Sequence, residues 1–185
     1  MVNGGSAGPG FEQTARLRDG TPVRIRAARG DDRERLQRFF DQLEPQTIYT
    51  RFFGWRKRLT DTELRQLDAN DFEQRTILLA TIGSDGDETV IGAGSYVVDA
   101  ASGTPPREAE MAFTVEEDWQ GRGLAGTLLR LLIGIARTHG LQVLTAEVLA
   151  GNAPMLAVFE RCGLPLTRHA SRGVIALRFD LRSAG

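Results

Sequence analysis

Cysteine, lysine and histidine are all scarce in this chain, and no apolar run approaches the length of a membrane span. Each scarcity excludes something. A single thiol, Cys162, rules out an intramolecular disulfide and any multi-cysteine metal site. His139 and His169 have no ligand-spaced partners, so no bound metal is expected. Without a membrane span, and without the basic-then-apolar order of a signal peptide, the expected home is the cytoplasm, with no membrane partner. The net charge is only −1, so no global basic field draws the chain to nucleic acid.

What remains is the composition of a soluble globular protein: 185 residues, 41% hydrophobic and 25% charged. That length suits one domain with a continuous core. Gly, Ser and Ala dominate the first ten residues without periodicity, which predicts a flexible segment over 1–15 and a single domain over 16–185.

Along the domain, Val23 and Ile25 alternate with arginines in an edge-strand pattern over 21–27. Asp31 with Glu34, and Thr60 with Glu63, read as capping boxes that open helices ending near Leu43 and Leu67. Between them, Pro45 permits a new helical turn over 46–53. Two β-rich runs, 76–82 and 90–98, flank Gly83-Ser84-Asp85-Gly86-Asp87 and predict a hairpin. A loop with Pro105 and Pro106 precedes a strand over 109–115. A long helix is expected from about Gly121 to His139, stopped by Gly140. A strand over 142–149, a helix from Asn152 to Arg161, and a final strand pair over 164–169 and 174–181 complete one mixed sheet flanked by helices.

The most informative stretch is Trp119-Gln120-Gly121-Arg122-Gly123-Leu124-Ala125-Gly126, between a strand and the longest helix. Glycines here leave backbone N–H groups uncovered, and a helix N-terminus adds unpaired donors and the positive end of the peptide dipole. Together they make a cradle for a pyrophosphate. The same residues spell Gly121-x-Gly123-x-x-Gly126, the dinucleotide fingerprint, with Glu147 at the end of the next strand. Against that reading, Glu116 to Gln120 separate the first glycine from the preceding strand, and too little chain follows for further parallel βα units.

Gln120, Gly123 and Ala125 match instead the pyrophosphate motif of the GNAT N-acetyltransferase superfamily, and the helix start Asn152-Ala153-Pro154-Met155 is similar to that family's as well. Nearly the whole chain resembles it. The segments Thr47 to Phe53, Ala109 to Phe113 and Asp118 to Gly123 resemble the acetyltransferase domain of bacterial protein lysine acetyltransferases. This implies an α/β (α+β) fold with a mixed, mostly antiparallel sheet of six to seven strands flanked by helices.

The resemblance implies acetyl-CoA as co-substrate. Its pyrophosphate would rest on the amides of Gln120, Gly121, Arg122, Gly123, Ala125 and Gly126, with Arg122 adding charge. Its pantetheine arm would lie along the strand near Phe113 and Val115, hydrogen-bonded by Asn152 while that residue caps its helix. Glu110 would take the proton from an attacking lysine amine, which arrives charged because its reference pKa is about 10.4. Glu108, Glu116 and Glu147 are weaker candidates. Many family members carry a Tyr that protonates the departing thiolate; here that position is Phe159, which has no proton to give. Tyr49, Arg51 and Phe52 would face the substrate, with Arg56, Lys57 and Arg58 as a basic rim suited to an acidic protein surface.

Lys57 is the chain's only lysine against 22 arginines. A GC-rich genome accounts for that bias; so would an enzyme that modifies lysines and offers few of its own. The implied activity is transfer of acetyl to a protein lysine, the subgroup's typical target being an AMP-forming acyl-CoA synthetase. Acetylation of a small amine and a non-catalytic acetyl-CoA sensor are the alternatives.

Overall fold

The computed structural model describes residues 7–84, 86–102 and 107–182. The expected turn residue Asp85, the Pro105-Pro106 loop and the first six residues lie outside them. Among the described residues, eight strands form one sheet in the order β1-β2-β3-β4-β5-β6-β8-β7. They are β1 (Glu12–Arg16), β2 (Pro22–Ala27), β3 (Arg75–Ile82), β4 (Thr89–Val98), β5 (Glu108–Val115), β6 (Val143–Leu149), β7 (Leu166–Ser171) and β8 (Val174–Asp180). The helices are α1 (Arg33–Gln42), α2 (Pro45–Phe52), α3 (Asp61–Arg65), α4 (Leu124–Thr138) and α5 (Ala153–Glu160). Every neighbouring pair is antiparallel except β5 and β6, which run parallel.

The strand alternation decides which helix packs where. On β3, Leu78 and Ala80 join a core with α4, whereas Ile77 and Leu79 face Phe39, Phe40 and Ile48 of α1 and α2. The central strands are thus covered on both faces, which explains why β3 reads as a continuous apolar run. α4 supplies Leu128, Leu129, Leu132 and Ala136 to the larger core, all essentially without exposure.

Several expectations change. The sheet has eight strands rather than six or seven, because Glu12–Arg16 pairs antiparallel with β2 where the sequence pattern gives only a flexible lead-in. The strand shows no buried position of its own, only half-buried and exposed ones, so it carries no hydrophobic alternation to read; its apolar anchors, Phe11 and Leu17, lie just outside it. The capping box at Thr60 and Glu63 forms as expected. The one at Asp31 and Glu34 does not. A short 3-10 turn, Gly30–Asp32, precedes α1, and the carboxylate of Asp32 instead accepts from the guanidinium of Arg26 at 2.7 Å and from the Arg29 N–H at 2.9 Å. Asp32 and Arg26 are 0% and 1% exposed. Two charged groups this deep persist because each neutralises the other.

Candidate functional site

Parallel β5 and β6 pair only over Glu108–Glu110 and Val143–Thr145. Beyond Glu110 the strands part, although β5 continues to Val115 and β6 to Leu149. The backbone edges of Phe113 and Val115 on one side, and of Glu147 to Leu149 on the other, are therefore left without each other. Unpaired strand edges demand a hydrogen-bonding partner. An open cleft of about 500 Å³ follows the parting, bordered by β5, β6, the glycine loop, α2 and α5.

At its upper end lies the glycine loop. α4 starts at Leu124, three residues later than expected, because Gly121 and Gly123 adopt φ values of 71° and 90° that are left-handed rather than helical. Among the described residues, no side chain caps this helix. The first N–H along it with a partner is that of Thr127, which donates to the Gly123 carbonyl at 3.1 Å. The N–H groups of Leu124, Ala125 and Gly126 therefore remain available, and a side chain at Gly121 would meet nothing within 4 Å. A row of free donors at the positive end of a 15-residue helix fits a diphosphate.

The flanking side chains hold this loop in place. Gln120 donates from its amide to the Val115 carbonyl at 3.0 Å, tying the loop to the end of β5. Arg122 stacks over Trp119 at 4.8 Å and donates to Asp19 at 3.0 Å. Its charge is already engaged, whereas among the described residues no hydrogen bond or ion pair engages the guanidinium of Arg18, which also borders the cleft and carries no signal of its own in the sequence.

At the lower end, Glu110 is exposed where the two strands part, bordering both the cleft and a second hollow of about 420 Å³ over β6, β8 and β7. Glu147, a weaker candidate from sequence, borders both as well. Glu108 is committed elsewhere, accepting two hydrogen bonds from Arg178 at 2.5 and 2.6 Å that hold its carboxyl below the usual range.

Asn152 caps α5, accepting from the Met155 N–H at 3.3 Å through its side-chain oxygen, and borders the cleft. Phe159 is 2% exposed, wedged between Phe113 at 5.8 Å and Phe179 at 5.3 Å, and forms part of the floor.

The three residues of α2 expected at the substrate part company. Arg51 borders the cleft with Thr47 and Thr50. Tyr49 and Phe52 do not: Tyr49 packs tilted against Trp55 at 5.0 Å and Phe52 against Phe40 at 5.8 Å. Helical spacing carries this signal, since 47, 50 and 51 share one face while Ile48 and Phe52 share another. Burial pushes the Arg51 guanidinium below its ordinary value, and the fields of Glu63 and Glu110 partly restore it. Among the described residues, no carboxylate lies in direct contact with Arg51, whereas Arg56 is bound by both oxygens of Glu63.

Neither a cluster of three or more metal-ligating side chains nor a helix long and apolar enough to cross a membrane is found among the described residues.

Comparison with known proteins shows the family. The model of the GNAT acetyltransferase family matches residues 31–164. An acetyltransferase of Pseudomonas aeruginosa, PA5475, is 34% identical over 139 residues, covering 75% of this chain and 73% of that one. Acetyltransferase Pat of Mycolicibacterium smegmatis is 32% identical over 140 residues, 76% of this chain but only 40% of its own length. The crystal structure of the GNAT domain of S. lividans PAT superposes with a TM-score of 0.82 at 37% identity, covering 91% of this chain and 96% of that one. The chain therefore belongs to the GNAT acetyltransferase family and is an acetyl-CoA-dependent N-acetyltransferase.

Proposed function

We propose that this enzyme acetylates a lysine side chain of another protein, an AMP-forming acyl-CoA synthetase being the leading target. The observation that carries the reading is the openness of the acceptor end. Glu110 stands where the cleft runs into the hollow over the outer strands, Phe53 borders the cleft at 41% exposure, and the segment after α2 exposes Trp55 at 68% together with Lys57 and Arg58. An open groove followed in sequence by an exposed aromatic and basic segment suits a protein surface with acidic character. The likeness to Pat and to the S. lividans PAT domain supports the same reading.

Bound acetyl-CoA would supply an activated thioester. The free N–H groups of Leu124, Ala125 and Gly126, with the Gly121–Gly123 turn, would receive its pyrophosphate; the edge of β5 near Phe113 and Val115, and Asn152, would receive its arm. Glu110 would accept the proton that the lysine nitrogen must lose, so that the nitrogen can form the amide bond as the carbon–sulfur bond breaks. Phe159 offers no proton, so the sulfur departs as a thiolate or is protonated by water. The transfer is direct. Cys162, only half-buried but packed against the main core, takes no part.

Arg51 favours a second reading. A half-buried guanidinium in the cleft without a carboxylate in contact would suit the carboxylate of a free amino acid acceptor. Acetyl transfer measured in parallel on a purified AMP-forming synthetase and on a panel of free amines separates the two. The proposal expects the synthetase to be modified on a single lysine faster than any amine is turned over. Faster turnover of an amine would replace it with the small-molecule reading, and CoA binding without transfer to either would count against both acceptors.

A further inference from the structure

The turn between β1 and β2, residues 17–20, packs against the glycine loop from a distance of about a hundred residues in sequence. Its contacts are specific. The Arg18 N–H donates to the Arg122 carbonyl at 3.0 Å, and Asp19 accepts from the Arg122 guanidinium at 3.0 Å. The Arg18 side chain lies directly over Gly123: a Cβ built there would stand 3.3 Å from both its Cγ and its Nε. Arg18 also borders the cleft and is exposed. Among the described residues, no hydrogen bond or ion pair engages its guanidinium.

The two arginines at the cradle are thus in opposite states. Arg122, inside the glycine motif, has its charge neutralised by Asp19 and its face covered by Trp119. Arg18, outside the motif and outside the stretch matched by the family model, is unneutralised and stacked on the glycine whose missing side chain leaves it room. A diphosphate held only by neutral N–H groups would lack a counter-charge, and a guanidinium offers paired donors that match phosphate oxygens.

We propose that Arg18 is the cation that binds the pyrophosphate of acetyl-CoA, and that Asp19 keeps Arg122 tied to the loop as a positioning residue. The N-terminal hairpin is then part of the co-substrate site, and Gly123 serves two ends: its left-handed φ turns the amides outward, and its lack of a side chain admits Arg18.

Binding, measured by titration calorimetry, tests this without reference to turnover. The probes are CoA, 3′-dephospho-CoA, which keeps only the pyrophosphate, and pantetheine, which carries no phosphate and is read by competition. Wild-type binding of CoA is established first, so that failure of the co-substrate reading is separate from failure of this one. Arg18→Ala is expected to weaken CoA and 3′-dephospho-CoA alike by roughly ten- to a hundredfold, the range of a charge-assisted contact. Pantetheine binding stays unchanged, Arg18→Lys falls between, and the defect narrows at high salt because the contact is exposed. Unaltered CoA binding in Arg18→Ala would overturn the assignment. So would a loss confined to the probe with the 3′-phosphate, or an equal loss for pantetheine.

Discussion

Two glycine-to-alanine changes, eleven residues apart, move the protein in opposite directions. Gly123 has a φ of 90°, well inside the left-handed region, and a new Cβ would press on Arg18 at 3.3 Å. For an L-residue that backbone conformation costs about 1–2 kcal/mol, and the Arg18 side chain, being flexible, can yield without adding much. At about 2–4 °C per kcal/mol for a domain of this size, Gly123→Ala lowers the melting temperature by roughly 2–8 °C.

Gly134 sits in the middle of α4, exposed, with nothing within 4 Å of a new Cβ. There alanine removes backbone entropy from the unfolded chain, and Gly134→Ala stabilises by about 0.5–1 kcal/mol. The variants also differ at the cradle. Gly123→Ala places a methyl beside the free amides and displaces Arg18, so CoA affinity falls at least about tenfold, the effect of losing one good contact; Gly134→Ala leaves it intact. Thermal unfolding with and without CoA reads both effects. A Gly123→Ala protein that melts and binds CoA like wild type would refute the reasoning about this turn.

Arg26→Met takes from the buried carboxylate of Asp32 its two 2.7 Å contacts and leaves it the longer one to Arg35 at 3.3 Å, and the expected loss is about 3 kcal/mol, the lower end for a broken buried pair, by denaturant titration. Burial opposes ionisation of Asp32 and Glu88, yet hydrogen bonds from Arg26 hold both carboxyls below their ordinary values. Their contribution is therefore complete above the ordinary carboxyl value of about 4 and is lost as pH falls through the lowered values; Arg26→Met flattens that acid limb in a pH series of melts. At Asn152, alanine removes the α5 cap at a cost of about 1 kcal/mol. Asn152→Asp keeps the cap but has no amide donor, so it should melt like wild type while its KM for acetyl-CoA rises.

Local signals made most of the architecture legible. The helix and strand periods, the Thr60 capping box and the glycine loop are each written within a few residues, and so is Glu110 at the base of β5. What escaped depends on distant partners. β1 is held by ladder hydrogen bonds to β2, and Glu12 to Arg16 show no apolar alternation. Arg26 and Asp32 look like surface charges until the fold brings them together. Arg18 gains meaning only because its turn lands on Gly123. Tyr49 and Phe52 lie in the expected segment, but helix phase turns Phe52 to the smaller core, and Tyr49 is taken by Trp55.

The proposed chemistry rests on the parting of β5 and β6 at Glu110. Its most direct test is Glu110→Gln, in which shape is kept and the proton acceptor is lost, followed by CoA titration and by acetyl transfer at saturating acetyl-CoA near neutral pH. The account predicts unchanged CoA affinity and a fall in transfer rate of about a hundredfold or more, the usual contribution of a general base, partly recovered at alkaline pH where more of the lysine is already neutral. Transfer at the wild-type rate with normal CoA binding would contradict it.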